Sequence, residues 1–281
     1  MKKIISLIIV FVLSLFLCSC AHSYRGILLH PTENAIQIQD YFEKVLGSKS
    51  FIISDNFGVA FSFKEEVKDK DYEEQSSSVT KIKGNANYDD GMLIDELKLN
   101  GNFKETYVLP TTDKKIKTTN KITEKSVFFF ISGGLDRSYV FSKITSKNKE
   151  ASSYQEQKTM DEENSSSLEI FSKYLSLRSV RANVESFLTK YFSDNANCHI
   201  YLNGDDMTLV ESYSKSNKVI YIDCNGDDLI KITVEEKISP YSGSTFVSRK
   251  YTVAICDEET INKPEDKDMY EEKNQDHDED F

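Results

Sequence analysis

Alternation of apolar and polar residues over short runs is the feature that most restricts how this chain of 281 residues can fold. Successive side chains of a β-strand point to opposite faces, so such alternation predicts a strand with one buried face. The clearest run comprises Phe57, Val59, Phe61 and Phe63. Two further runs, near 80–88 and 93–107, repeat the pattern. We therefore expect a sheet with an aromatic face in the first half of the chain.

The C-terminal part of the chain shows the same period between turn signals. Asn203-Gly204 and Asn225-Gly226 separate alternating runs, and Asn-Gly is the strongest short-range signal for a β-hairpin. The runs predict five strands, near 198–202, 207–213, 218–224, 229–238 and 245–256. Strands joined by such short turns are antiparallel neighbours, which predicts a meander.

Two segments follow a helical period instead. Ile38 and Phe42 lie on one face of a helix that we expect to begin after Thr32, its N-cap, and to end at Gly47. The longest helix is expected over 168–192, lying across the sheet. This order of elements predicts an α+β fold with a large antiparallel sheet, an N-terminal helix and a long central helix.

Polar composition assigns the other segments to loops, linkers and tails. The expected boundaries within a single α+β domain of residues 32–256 are a preceding tether at 20–31, exposed connections at 64–78 and 110–125, a linker at 147–167 and a following acidic disordered tail at 257–281. Asn100-Gly101 fits either a hairpin turn or a bulge in one long strand, and the pattern does not decide between them.

The first 21 residues have the form of an export signal. Lys2 and Lys3 precede an apolar run from Ile4 to Leu17, which as a helix of about 21 Å is shorter than the roughly 30 Å hydrocarbon core of a bilayer. The run ends in Leu17-Cys18-Ser19-Cys20-Ala21, which resembles the lipobox of bacterial lipoproteins, although Cys18 departs from the usual small or β-branched residue. An uncleaved signal-anchor helix is the alternative.

The lipobox resemblance implies lipidation of one sulfur. In that family a diacylglyceryl group is joined to the cysteine through a thioether, and removal of residues 1–19 would leave Cys20 as the first residue. Two or more acyl chains hold a protein stably on a membrane. The resemblance therefore implies membrane lipid as a partner and a lipid-anchored position on the extracytoplasmic face of the cell envelope.

The order of helices and strands loosely resembles the periplasmic lipid-carrier lipoproteins of the LolA and LppX type, in which a curved sheet and helices enclose an apolar groove. The resemblance implies a lipid or another apolar ligand. An enclosed cavity lined by Phe57, Phe61, Phe128 and Phe130 would support such a carrier. A solid core at these residues would instead favour a structural or adhesive surface lipoprotein with no small-molecule site.

The net charge of −11 is concentrated at the C-terminus, where residues 257–281 carry twelve carboxylates and three lysines. The sequence shows no basic cluster beyond Lys114-Lys115, so we expect no nucleic-acid partner. Three cysteines follow Cys20, and an odd number leaves at least one thiol unpaired. One disulfide or three free thiols both remain open for Cys198, Cys224 and Cys256.

One short motif suggests nucleotide chemistry. Ser132-Gly133-Gly134-Leu135-Asp136 follows an apolar run and resembles the pyrophosphate-binding loop of ATP pyrophosphatases. That family continues with a serine and a helix, whose N-terminus holds the phosphate. Here Arg137 replaces the serine, and Tyr139, Phe141 and Ile144 alternate as in a strand. We therefore expect a Gly-Gly hairpin.

Four carboxylates follow the two Asn-Gly turns and could share a metal site, namely Asp205, Asp206, Asp227 and Asp228. In a meander these turns fall at the same end of the sheet, about 9.6 Å apart. Such hard oxygen ligands suit Ca²⁺, but neither turn has the spacing of a calcium-binding loop. The simpler expectation is that the carboxylates keep the turns solvated and that no metal binds.

Catalytic chemistry finds little support in the sequence. No G-x-S-x-G or H-E-x-x-H motif is present, and the four histidines are dispersed, at His22, His30, His199 and His277. We expect no catalytic residue and no cofactor. The sequence favours a non-catalytic envelope lipoprotein whose domain binds a ligand, a lipid or a partner, and an exported hydrolase without a recognisable motif is the alternative.

Overall fold

The computed structural model describes residues 24–47, 57–70, 75–88, 93–110, 115–132, 134–147, 152–159, 165–193, 196–239 and 244–262. Within these ranges the strands are β1 (Ile27–Leu29), β2 (Phe57–Lys70), β3 (Gln75–Tyr88), β4 (Ile94–Pro110), β5 (Lys115–Ile131), β6 (Gly134–Lys147), β7 (Ser152–Thr159), β8 (Cys198–Asn203), β9 (Asp206–Ser212), β10 (Ser216–Asn225), β11 (Asp228–Ile238) and β12 (Thr245–Cys256). They form one antiparallel sheet that is not closed on itself, in the order β1-β8-β9-β10-β11-β12-β2-β3-β4-β5-β6-β7. The predicted large antiparallel sheet is confirmed, and the helical part of the described chain is small.

The C-terminal meander was predicted closely. Strands β8 to β12 are sequential neighbours, and each begins and ends within two residues of its predicted range. Both Asn-Gly turns place glycine in the left-handed region, with φ of 66° at Gly204 and 63° at Gly226. Glycine reaches that region without the steric cost that a Cβ atom adds.

Three polar segments were wrongly predicted to be loops or linkers. Residues 64–78 supply the end of β2 and the start of β3, 110–125 contain the first half of β5, and 147–167 contain β7. The expected tether also contains a strand, because β1 pairs with β8. Composition misled the prediction at β2, β3 and β5 because a strand with neighbours on both sides satisfies its backbone groups in the sheet without needing an apolar face. Strands β1 and β7 are the two edges of the sheet and pair on one side only.

Strand β4 settles the alternatives at Asn100-Gly101. The pair lies inside one continuous strand, and the irregularity in its pairing falls near Asn87 and Tyr88 instead. Gly101 is needed for a close approach, since a Cβ atom there would lie 2.3 Å from Oγ of Ser167.

The N-terminal helix α1 spans Ala35–Gly47 and begins later than predicted. The backbone N–H of His30 donates to Oδ1 of Asn34, and the carbonyl of Asn34 accepts from Ile38, so Asn34 and not Thr32 precedes the first turn. The predicted buried face is confirmed, with Ile38 and Phe42 in the core.

The central helix is divided into three parts, whereas the sequence predicted one continuous helix. Helix α2 (Ser166–Ile170) continues into a π-helical turn (Phe171–Leu175), and α3 (Leu177–Ser193) follows after Ser176 takes an extended conformation with ψ of 144°. Oγ of Ser176 accepts from the N–H of Ser179 at 3.3 Å, which caps α3.

These helical segments cross one face of the sheet, as predicted. Ser165 at the start of α2 donates to the buried carboxylate of Glu124 on β5, and Tyr174 of the π-helical turn packs on Phe63 of β2. At the other end, Lys190 of α3 pairs with Glu211 of β9 at 2.6 Å. We call this side of the sheet the helix face and the opposite side the outer face.

Candidate functional site

The outer face of β2 to β6 carries an array of lysines, which we call the lysine face. Its members are Lys64, Lys68 and Lys70 on β2, Lys81 and Lys83 on β3, Lys98 and Lys104 on β4, Lys117, Lys121 and Lys125 on β5, and Lys143 on β6. The first ten are exposed and Lys143 is partly buried. Their assignment to the outer face follows from the alternation of the strands, since Phe63, Ile82 and Leu99 are buried on the helix face beside them.

Strand register places some of these lysines directly opposite one another. Lys64 on β2 is the partner of Lys81 on β3, and Lys104 on β4 is the partner of Lys121 on β5. Like charges directly opposite in neighbouring strands destabilise a sheet. These pairs therefore cost the fold stability, and a bound anion would remove that cost.

Few carboxylates offset this charge. Glu66 lies among the lysines, 2.6 Å from Nζ of Lys64 and 3.9 Å from Nζ of Lys68. The hydrogen bond from Lys64 lowers the pKa of Glu66 below its usual value. Among the described residues, no carboxylate lies within 4.0 Å of the lysines Lys81, Lys83, Lys98, Lys104, Lys117, Lys121 or Lys125. A surplus of positive charge thus remains on one face of an acidic protein.

A shallow depression of about 450 Å³ lies within the lysine face. Four lysines, Lys64, Lys81, Lys104 and Lys121, line it together with Glu66 and neutral residues of β3, β4 and β5. At about 4.8 Å between strands and 3.3 Å per residue, the whole lysine face measures roughly 19 by 33 Å, because Lys117 pairs with Val108, ten residues along β4 from Lys98. An array of this size can contact several phosphate groups at once, with each lysine ammonium group acting as a point charge.

Both ends of the described chain lie on the outer face. Tyr24 packs on Tyr201, with ring centroids 5.3 Å apart, and Tyr201 is on the outer face because its neighbour Ile200 is buried on the other side. At the C-terminal end, Nδ2 of Asn87 donates to the carbonyl of Glu259 at 2.7 Å. Oδ1 of Asn87 accepts from the N–H of Glu259 at 3.3 Å.

Asn87 also lines a second, acidic depression of about 590 Å³. Carboxylates of Glu96, Asp136 and Glu258 line it, with Arg137 and Phe129. No three His, Cys, Asp or Glu side chains in the described ranges are grouped to hold a metal ion. Glu96 lies two residues from Lys98 on β4, so this acidic depression borders the lysine face.

The turn carboxylates predicted as possible metal ligands bind protein groups instead. Oδ2 of Asp205 accepts from the N–H of Gly226 at 3.2 Å, and Oδ1 of Asp206 accepts from the N–H of Cys224 at 3.0 Å. Asp227 lies 3.4 Å from Lys44 of α1, and Asp228 is exposed. The two turns are adjacent as expected, but the carboxylates of Asp205 and Asp206 accept hydrogen bonds from the neighbouring backbone.

The phenylalanines expected to line a lipid groove contact other rings. Phe57 stacks on Tyr88 at 5.4 Å between ring centroids, and Phe61 packs on Phe171 of the π-helical turn at 5.1 Å. Phe128 is fully buried and Phe130 packs against the same core. Rings of the crossing helix thus occupy the space above β2.

The remaining predicted sites are placed as follows. Ser132 turns between β5 and β6 with φ of 51°, and a strand follows it, so the expected hairpin forms where a nucleotide loop would need a helix. Cys198, Cys224 and Cys256, which all lie within the described ranges, form no disulfide there. The signal and its Cys20 lie outside the described residues.

The lysine face was not predicted because its lysines are not contiguous in the sequence. The signal was present as alternation, with lysine at 64, 68 and 70, at 81 and 83, and at 117, 121 and 125. Positions an even number apart share one face of a strand. Recognising them required first assigning strands to segments that composition had assigned to loops.

Comparisons with known proteins identify no family. No family model and no curated protein sequence matches the chain. Solved structures with distant likeness include a porin-like protein from Bacteroides uniformis, at 9% identity and a TM-score of 0.17 over 69% of this chain and 95% of that chain. The translocator domain of autotransporter NalP from Neisseria meningitidis gives 8% identity and a TM-score of 0.23 over 79% and 95%. Scores this low do not place the chain in a fold family.

A third likeness is to the S-type phycobiliprotein lyase CPES from Guillardia theta, with 6% identity and a TM-score of 0.18 over 80% of this chain and 94% of that chain. The helices found in the described residues are all too short or too polar to cross a membrane.

Proposed function

We propose that this protein is a lipid-anchored, non-catalytic protein of the cell envelope, and that its lysine face binds the phosphate-bearing surface of the membrane to which it is anchored. The observation that carries this proposal is the array of exposed lysines on one face of a chain whose net charge is −11. An acidic protein that concentrates positive charge on one sheet face has a surface suited to an anionic partner.

The position of the N-terminus supports a membrane as that partner. Lipidation at Cys20 would leave only four residues before Tyr24, a span of at most about 14 Å. Because Tyr24 packs on the outer face, the anchor would hold that side of the sheet close to the headgroups. A lysine near an anionic membrane contributes about 1 kcal/mol, and a basic patch beside a lipid anchor supplies a second, electrostatic attachment.

The core favours surface binding over a lipid carrier. A carrier needs an apolar space beneath its helices, whereas Phe61 and Phe63 are in contact with Phe171 and Tyr174 of the crossing segment. The aromatic face predicted from the sequence thus supports packing of the helices. This packing also suits a structural or adhesive role, in which the lysine face would contribute nothing to membrane contact.

Vesicle binding by the mature chain with Cys20→Ser tests the proposal without the lipid anchor. We expect binding to vesicles of anionic phospholipid and none to zwitterionic vesicles. Affinity should fall between about 10 and 100 mM salt, as the Debye length falls from about 30 to about 10 Å. A triple variant in the depression, Lys81→Gln/Lys104→Gln/Lys121→Gln, should bind at least about tenfold more weakly.

Three cations on the helices provide the matched control. Lys44→Gln/Lys173→Gln/Arg178→Gln removes the same charge from exposed positions away from the lysine face and should leave vesicle affinity unchanged. Equal losses in the two triple variants would overturn the proposal. Binding to soluble polyphosphate with none to vesicles would also overturn it.

A further inference from the structure

The strongest unexplained feature outside the lysine face is the acidic C-terminal segment, residues 263–281. It carries nine carboxylates and three lysines in nineteen residues. We propose that this segment docks on the lysine face of the same molecule and competes there with anionic lipid. The docking itself is independent of the lipid, and its role in controlling membrane contact rests on the proposed function.

The described chain delivers this segment to the lysine face. After β12, the backbone of Asp257 passes so close over β2 that a Cβ atom on Gly58 would lie 2.2 Å from its carbonyl oxygen. Asn87 on β3 then holds the backbone of Glu259 through both ends of its side-chain amide. Ile261 is buried, with 5% of its surface exposed. The chain is therefore fixed on the outer face up to residue 262.

The outer face has buried residues of its own, separate from the core beneath the helices. Ile261, Val127 and Tyr139 are buried but stand outside the core cluster beneath the helices. Val127 and Tyr139 are directly opposite one another on the outer face of β5 and β6. Residues 257–262 thus have fixed positions on the surface from which the lysines project.

Length and tethering make contact between the segment and the lysines favourable. Nineteen residues reach up to about 63 Å when extended, which exceeds the roughly 19 by 33 Å of the lysine face. A segment joined by a short connection acts at an effective concentration in the millimolar range. Carboxylates on the lysine face would also relieve the repulsion between Lys64 and Lys81 and between Lys104 and Lys121.

Docking and simple solvation of the segment predict opposite changes in stability. After removal of residues 1–19 the net charge becomes −13, because Lys2 and Lys3 are lost. If the segment is only solvated, neutralising its carboxylates reduces self-repulsion and raises the melting temperature. If it docks, the same change exposes the opposed lysines and lowers the melting temperature at low salt.

The test uses the mature chain with Cys20→Ser and a variant of equal length, Glu265→Gln/Asp266→Asn/Asp268→Asn/Glu271→Gln/Glu272→Gln. These changes remove five of the nine carboxylates and reduce the side-chain charge of the segment from −6 to −1. Carbodiimide cross-linking of the monomer, followed by mass spectrometry, joins carboxylates to lysines that touch them. We expect cross-links from the segment to lysines of the lysine face, at least about tenfold more than to Lys44 or Lys173, and their loss in high salt. We also expect a lower melting temperature for the variant at low salt.

Cross-links spread equally over the lysine face and the helix lysines, or a higher melting temperature for the variant, would overturn docking. Vesicle binding separates this inference from the proposed function. The variant should bind anionic vesicles at least about tenfold more tightly than the parent if the segment competes with lipid. Cross-links without any vesicle binding by either protein would preserve docking and overturn the membrane proposal.

Discussion

Arg249 shows how one residue holds the crossing helix to the sheet. It lies on the helix face of β12, where Nε donates to Glu65 of β2 at 2.6 Å and Nη1 donates to Glu236 of β11 at 2.5 Å. Its guanidinium stands 4.9 Å from the ring centroid of Tyr174 in the π-helical turn. Burial alone would lower its pKa, but the Glu65 hydrogen bond and the nearby carboxylates raise it.

Replacing Arg249 should therefore weaken the fold. Arg249→Ala leaves Glu65 and Glu236 half-buried without their cation and removes the contact with Tyr174, so the free energy of unfolding should fall by about 3 kcal/mol. Arg249→Lys keeps the charge and should lose less. Urea unfolding measures both, and a loss below about 0.5 kcal/mol for Arg249→Ala would show that the carboxylates are satisfied by water.

At the scale of elements, the sequence predicted those strands and helices that bury one face. The first part of β2 and the meander from β8 to β12 alternate clearly and were predicted. The start of β5 and the end of β2 have polar residues on both faces and were assigned to loops. Their pairing is specified by neighbouring strands, which a local pattern does not reveal. The break at Ser176 was missed for a similar reason, because its flanking residues keep the apolar stripe of α3 continuous.

Charge reversal at one lysine should change the stability of the sheet and the affinity for anionic vesicles in opposite directions. Lys121→Glu places a carboxylate opposite Lys104 and replaces a repulsive pair with an attractive one, so the free energy of unfolding should rise by about 0.5 to 1 kcal/mol at low salt. Binding to anionic vesicles should fall at the same time. Lys173→Glu on the π-helical turn provides the control and should leave vesicle binding unchanged. Destabilisation by Lys121→Glu would show that the lysine pair is already neutralised by another group.

At the scale of the whole molecule, the order of strands determines which charges meet. Strand β12 pairs with β2 and joins the two halves of the sheet, with Val253 opposite Phe61. No residue pattern in the sequence required this pairing, because several strand orders bury the same apolar faces. The lysine face depends equally on register, since a shift of one residue would turn its lysines towards the helices. The candidate site was therefore less predictable than the core.

We expect the lipidated protein to take one orientation on an anionic membrane. If Cys20 is lipidated as we propose, the anchor is joined to Tyr24 on the outer face, so lipid should shield the lysine face while the helices point to solvent. With the lipidated protein on anionic vesicles, acetylation by a water-soluble reagent should slow at Lys81, Lys104 and Lys121 and proceed at its solution rate at Lys44.

The C-terminal variant with five neutralised carboxylates should show the same protection, because lipid replaces the segment. Protection that depends on the tail and not on the vesicle would mean that the segment alone covers the lysines. Uniform reactivity at all four lysines would mean that the sheet stands away from the membrane on its tether.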